Sequence, residues 1–177
     1  MDWFSRRPAD EMRPTRGIAR PSVSEITDYL LIGEYPRESD IGWLKAEYRV
    51  SAIHNLQDDE DLRINGLDAA VLAEICRRHG IRLVRTAIHD GSADDMAARL
   101  ETALNDLRAL VQAKERVYLH CNAGLNRAPT LAIGYLRAYE KMSLNEAMAY
   151  VKKRRPCGPF MTVLEAYFGP RDYKPVN

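Results

Sequence analysis

Strand-like and helix-like stretches alternate along this chain, which predicts an α/β fold: one domain on a central, mostly parallel sheet flanked by helices. Its 177 residues fit a single ordinary domain, long enough to bury a core without disulfides or a structural metal. Apolar runs of strand length recur at residues 26–33, 50–56, 81–88 and 116–120, each followed by a stretch of helical periodicity. The first two runs enclose an amphipathic helix at residues 37–48, giving a βαβ unit. An acidic turn, QDDED at residues 57–61, leads to a helix at 67–79 that Gly80 closes. After the strand at 81–88 comes the loop HDGSADD, then a helix at 94–113. Beyond the strand at 116–120 the signal is helical, at 128–140, 143–154 and 159–168. Ser143 and Glu146 form a capping box, and Pro159 suits a first helical turn.

Composition excludes several function classes. Lys plus Arg number 26 against 25 Asp plus Glu, a net charge of +1, whereas nucleic-acid binders concentrate basic charge. No apolar run reaches the ~18 residues of a membrane span, so no membrane partner is expected. Cys76, Cys121 and Cys157 are widely spaced and form no C-x-x-C pair, which points to a reducing compartment and no zinc site. The N-terminus has arginines but no apolar core of a secretory signal, so a cytoplasmic location is expected. Residues 1–22, with five arginines and three prolines, read as a flexible arm, leaving residues 23–177 as the folded domain.

The chemistry concentrates in VYLHCNAGLNRAPTLAIGYL, a strand, a loop holding a cysteine, and an arginine opening an apolar helix. Backbone amides of such a loop, together with the helix dipole, favour a bound dianion. Arg127, six residues after Cys121, brings a planar guanidinium able to grip two phosphate oxygens. The same positive field stabilises the thiolate of Cys121, a nucleophile beneath the anion. The departing oxygen then needs a proton, and Asp90 is the candidate acid, in the loop after the strand at 81–88. His120 precedes Cys121 and is expected to orient it by hydrogen bonding. The bare C-x5-R spacing is weak evidence in a chain with 20 arginines; the preceding His, Gly124 at the third position, the strand before and the helix after give it weight. Asp94 and Asp95 read as residues of a helix start, Asp58, Asp59 and Asp61 as a polar turn, and the run KKRR at 152–155 as a solvated helix end.

HCNAGLNRAP resembles the H-C-x5-R signature of cysteine-dependent protein tyrosine phosphatases, and the short loops resemble the dual-specificity branch, over roughly residues 24–168. The resemblance implies a single-domain dual-specificity-phosphatase-like fold with a mixed central sheet. It also implies a two-step phosphomonoester hydrolysis through phosphocysteine, with no metal or cofactor. Residue by residue, it makes Cys121 the nucleophile, Arg127 the phosphate clamp and Asp90 the general acid and later base. His120 and the amides of Asn122, Ala123, Gly124, Leu125 and Asn126 complete the phosphate site. The implied substrates are phosphotyrosine and phosphoserine or threonine in proteins, met by a monomer.

NLQDDEDLRINGLDAA, AIHDGSADD and KKRRPCGP also resemble the laforin and plant starch-excess group, which implies a phosphorylated carbohydrate as the alternative substrate. Against that group, the loop after Asp90 lacks an aromatic residue and Asn126 stands where glycine is usual. Against the wider pattern, Ala128 replaces the Ser or Thr that helps expel the thiolate, so the second step is expected to limit turnover. A phosphate-binding pseudophosphatase is the alternative of another class, and a sulfur transferase or arsenate reductase is a third reading. Asn122, Ala123, Leu125 and Asn126 are all neutral, which favours a substrate with a single phosphate.

Overall fold

The computed structural model describes residues 19–175, so most of the expected N-terminal arm lies outside the described residues. Residues 19–22, the end of that stretch, lie against the domain: Arg20 donates to the Ser39 carbonyl and to Asp40, and the Ser22 amide donates to Glu34.

Among the described residues, five strands and seven helices follow in the order β1 (Val23–Glu25), β2 (Leu30–Gly33), α1 (Glu38–Tyr48), β3 (Ala52–Asn55), α2 (Asp59–Ile64), α3 (Ala69–Arg78), β4 (Arg82–Arg85), α4 (Ala93–Gln112), β5 (Val117–His120), α5 (Arg127–Tyr139), α6 (Leu144–Arg154) and α7 (Met161–Phe168). The sheet order is β1-β2-β5-β3-β4; β1 runs antiparallel to β2 and every other pair is parallel. The mostly parallel, mixed sheet is therefore as expected.

Both faces of the sheet are covered, which is why every residue of its central strands β2, β3 and β5 is buried, His54, Asn55 and His120 included. Alternation along β2 and β5 sends Leu30, Ile32, Val117 and Leu119 into the larger core with α4 to α7, and Leu31 and Tyr118 into a smaller one with α1 and α3. Along the C-terminal edge the register aligns Gly33 with His120, His120 with Asn55, and Asn55 with Arg85. The segments leaving β2, β3, β4 and β5 thus gather at one edge, around the central β5, the usual place for a ligand in such a sheet.

Three local expectations are corrected. The run at 26–33 is not one strand: the Ile26 and Thr27 amides both donate to the Leu30 carbonyl, and the Thr27 hydroxyl accepts from the Tyr29 and Leu30 amides, making a turn between β1 and β2. QDDED is not a simple turn, because Asp58 caps helix α2 in a reciprocal capping box with Asp61. The last helix starts at Met161 with Phe160 as its N-cap, so Pro159 lies before it.

Candidate active site

The loop from Cys121 to Asn126 joins the fully buried β5 to the N-terminus of α5. Gly124 has φ 66°, and a Cβ there would stand 2.4 Å from the Gly33 carbonyl oxygen and 2.8 Å from Arg155, so only glycine fits both the turn and the space. The carbonyls of this loop are held from behind. Arg155, buried at the end of α6, donates through Nε to the Gly124 carbonyl (2.6 Å) and through Nη2 to that of Ala123 (2.8 Å), and it reaches the hydroxyls of Ser24 and Ser22 at 3.2 Å. Farther along, the Gly158 amide donates to the Leu125 carbonyl, and the Asn126 side chain donates to the Gly158 carbonyl. The basic run is therefore mixed in character: Lys152, Lys153 and Arg154 are exposed as expected, while Arg155 is a buried loop brace.

Cys121 itself is buried. His120 does contact it by hydrogen bonding, but through the backbone: its Nδ1 lies 3.0 Å from the Cys121 carbonyl. Burial pushes the His120 imidazole down to about 3, so the ring is neutral at ordinary pH and the nitrogen facing the carbonyl is the protonated donor.

Arg127, at the first position of α5, is completely buried. Its Nη1 donates to Asp61 Oδ2 at 2.6 Å and to the Ile88 carbonyl at 2.7 Å, which locks the guanidinium plane. Burial opposes its charge, but the hydrogen bond to Asp61, then Cys121 and Asp90 nearby, keep it cationic. The opposite edge of the fork, Nε and Nη2, is buried and has no hydrogen-bond partner. Asp90 Oδ1 does lie 2.9 Å from Nη2, yet without hydrogen-bond alignment, on a side chain that is 55% exposed. Asp90 Oδ2 is 3.5 Å from the Asn122 side chain. Cys121, Arg127 and Asp90 therefore converge at the sheet edge, and Asp94 and Asp95 belong to the first turn of α4, as expected.

Asp61 is the residue that the turn reading missed. Besides Arg127, it accepts from the Asn122 side chain at 2.5 Å, and the Asn122 Oδ1 in turn accepts from Gln57 (2.8 Å) and Asn65 (3.0 Å). This buried network occupies the Asn122 side chain and leaves only its backbone for an anion. The signal available in the sequence was the D-x-x-D spacing of a capping box, which marks a helix start but not a buried partner for Arg127. Arg155 gave no signal apart from its three solvated neighbours. Among the described residues no group of three or more His, Cys, Asp or Glu is arranged to hold a metal ion.

Residues 33–165 match the sequence profile of the family described as dual specificity phosphatase, catalytic domain. Tyrosine-protein phosphatase vhp-1 of Caenorhabditis elegans is 33% identical over 82 residues, 46% of this chain and 12% of that protein. Phosphoglucan phosphatase LSF1 of Arabidopsis thaliana is 26% identical over 137 residues, 77% of this chain and 23% of that one. Human dual specificity protein phosphatase 26 is 38% identical over 77 residues, 43% of this chain and 36% of that one. The chain thus spans well under half the length of these relatives. Among solved structures, Tk-PTP in its active form superposes with a TM-score of 0.70 at 23% identity, covering 82% of this chain and 95% of that one, which shows the shared fold. With a profile match running from the end of β2 into α7, the chain belongs to the dual specificity phosphatase catalytic-domain family.

Proposed function

We propose that the protein hydrolyses phosphate monoesters on tyrosine and serine or threonine side chains of proteins through a phosphocysteine intermediate. The observation that carries this reading is the buried Nε and Nη2 edge of Arg127 beside the cysteine loop, which makes no hydrogen bond and has only the Asp90 carboxylate near it. Two cationic donors, buried and without hydrogen-bond partners, match two oxygens of a phosphate. Cys121 attacks phosphorus in line, forming the S–P bond as the P–O bond to the substrate breaks. Asp90, in its acid form, gives its proton to the departing oxygen. The resulting Asp90 carboxylate then takes a proton from the water that attacks phosphocysteine, releasing phosphate and regenerating the thiolate. These residues supply nucleophile, clamp and acid without a metal, so a chelator is expected to leave the rate unchanged.

A phosphorylated glucan is the second reading, favoured because LSF1 and the Castanea sativa DSP4, matched over 77% and 66% of this chain, are both named as phosphoglucan phosphatases. Phosphate release from a phosphotyrosine peptide, a phosphothreonine peptide and phosphorylated amylopectin, compared in parallel with Cys121→Ser as the blank, tests both. The peptides are expected to lead and the blank to fall to background. Amylopectin in the lead moves the substrate to carbohydrate, and EDTA-sensitive release that survives Cys121→Ser overturns the cysteine chemistry. Tight phosphopeptide binding with no release leaves a phosphate-binding pseudophosphatase.

A further inference from the structure

Helix α2 begins with two carboxylates that have different destinations. Asp61 reaches inward to Arg127, as described above. Asp58, the N-cap, uses Oδ1 to accept from the Asp61 amide (2.8 Å) and directs Oδ2 at His89 Nδ1, 2.7 Å away. His89 is the residue before Asp90. Its own amide donates to Asp95 Oδ2 at 2.6 Å, in the first turn of α4. The loop carrying Asp90 is therefore tied down at the two residues before the acid: at Ile88, whose amide donates to the Leu56 carbonyl and whose carbonyl accepts from Arg127, and at His89 through both backbone and ring. Asp90 projects from the end of this anchored stretch, with Gly91 (φ 72°) directly after it.

We propose that His89 and Asp58 are positioning residues, an ion pair that holds the Asp90 loop over the cysteine loop and couples it to the helix turn that anchors Arg127. This rests on the function proposed above. A pair between a loop ring and a helix cap fixes the acid at the distance proton transfer requires, where a misplacement of about 1 Å costs on the order of 100-fold.

The charged groups acting on the ring are acidic, Asp58, Glu60 and Asp61 at the start of α2 and Asp95 on α4, while the cations nearby sit on those acids: Arg127 faces Asp58, Arg63 pairs with Glu60 and Arg99 with Asp95. The hydrogen bond to Asp58, then its charge, raises the His89 imidazole above its ordinary 6.5. For Asp58, burial pushes upward, but the Asp61 amide and then His89 outweigh it and hold the carboxyl below its ordinary range. The pair favours the charged form of each partner, and its hold weakens as pH rises through the raised His89 value.

The test compares a phenyl phosphate, whose poor leaving group needs the acid, with an activated aryl phosphate that does not. His89→Ala is expected to lower kcat on phenyl phosphate about 10-fold, part of the 100-fold or more a general acid contributes, with KM nearly unchanged. On the activated ester, and in an Asp90→Asn background with either ester, the same substitution is expected to change the rate less than about 2-fold. Asp58→Asn should reproduce this pattern, and the advantage of wild type over His89→Ala should shrink as pH rises. Equal losses on both esters, or an undiminished loss in the Asp90→Asn background, overturn the proposal.

Should wild type release no more phosphate than Cys121→Ser, the function reading fails by itself, and the coupling is read by amide hydrogen exchange. Faster exchange at residues 88–92 in both His89→Ala and Asp58→Asn supports the coupling, and unchanged exchange overturns it.

Discussion

Asp61 has no water to retreat to. Its side chain is 5% exposed, with one oxygen taken by Asn122 and the other by the Asp58 amide and Arg127. Replacement by Asn keeps the shape but turns one acceptor into a donor, and in either orientation that donor faces another N–H. Asp61→Asn also takes from Arg127 its buried anion and leaves only the half-exposed Asp90 carboxylate at Nη2. The expected loss is about 3 to 5 kcal/mol, the usual effect of removing one partner of a buried pair, seen as a lower urea midpoint at unchanged slope. A surface pair such as Arg63 with Glu60 sets the contrast, since exposed pairs contribute little. Glu60→Gln is the matching control and should leave the midpoint in place.

At the scale of elements, the cysteine loop keeps its shape because α6 ends against it. Arg155 spreads one planar fork over two loop carbonyls, the Ile32 carbonyl of β2 and the hydroxyls of Ser22 and Ser24. A lysine carries a single point of donation and cannot span them. Arg155→Lys is therefore expected to lower stability by about 1 to 3 kcal/mol for acceptors left unsatisfied. It should also weaken the thermal shift produced by tungstate, a phosphate-shaped anion. Lys152→Ala and Lys153→Ala, on exposed side chains of the same helix turn, should leave both readings unchanged. If all three variants behave alike, the brace has no special role.

For the whole molecule, two imidazoles set how stability responds to acid. His54 is buried, with Nε2 2.8 Å from the Thr86 hydroxyl, which in turn donates to Asp106. Burial pushes both His54 and His120 from 6.5 down to about 3. Unfolded chains bind protons on these rings as pH falls through 6.5, whereas the folded protein refuses them until about 3. Their effect is thus absent above 6.5 and grows into a loss of stability as pH falls below it. His89 has the opposite sign, being raised. Two buried rings outweigh one exposed ring, so the urea midpoint is expected to be lower at mildly acid pH than at slightly alkaline pH. His54→Asn should reduce that dependence, and a midpoint indifferent to pH over this range would contradict it.

The alternation of apolar runs and amphipathic stretches was sufficient to determine an α/β sheet, since burial on both faces writes itself locally into the central strands β2, β3 and β5. The strand, cysteine loop and arginine-headed helix were also legible, because an anion cradle is made by consecutive residues. Asp90 was reachable from topology, as strands of a parallel sheet deliver their following loops to one edge. The sequence did not distinguish Asp61 from the other carboxylates of QDDED, or Arg155 from the rest of KKRR. In each run the residue types are nearly the same, and only the direction in which a helix turn faces decides which member is buried. That direction depends on packing across 66 residues between Asp61 and Arg127, and across 31 between Gly124 and Arg155. Long-range contact, with the desolvation that comes with it, turns one acid of a polar run into the anchor of Arg127 and one base of a solvated run into the support of the loop.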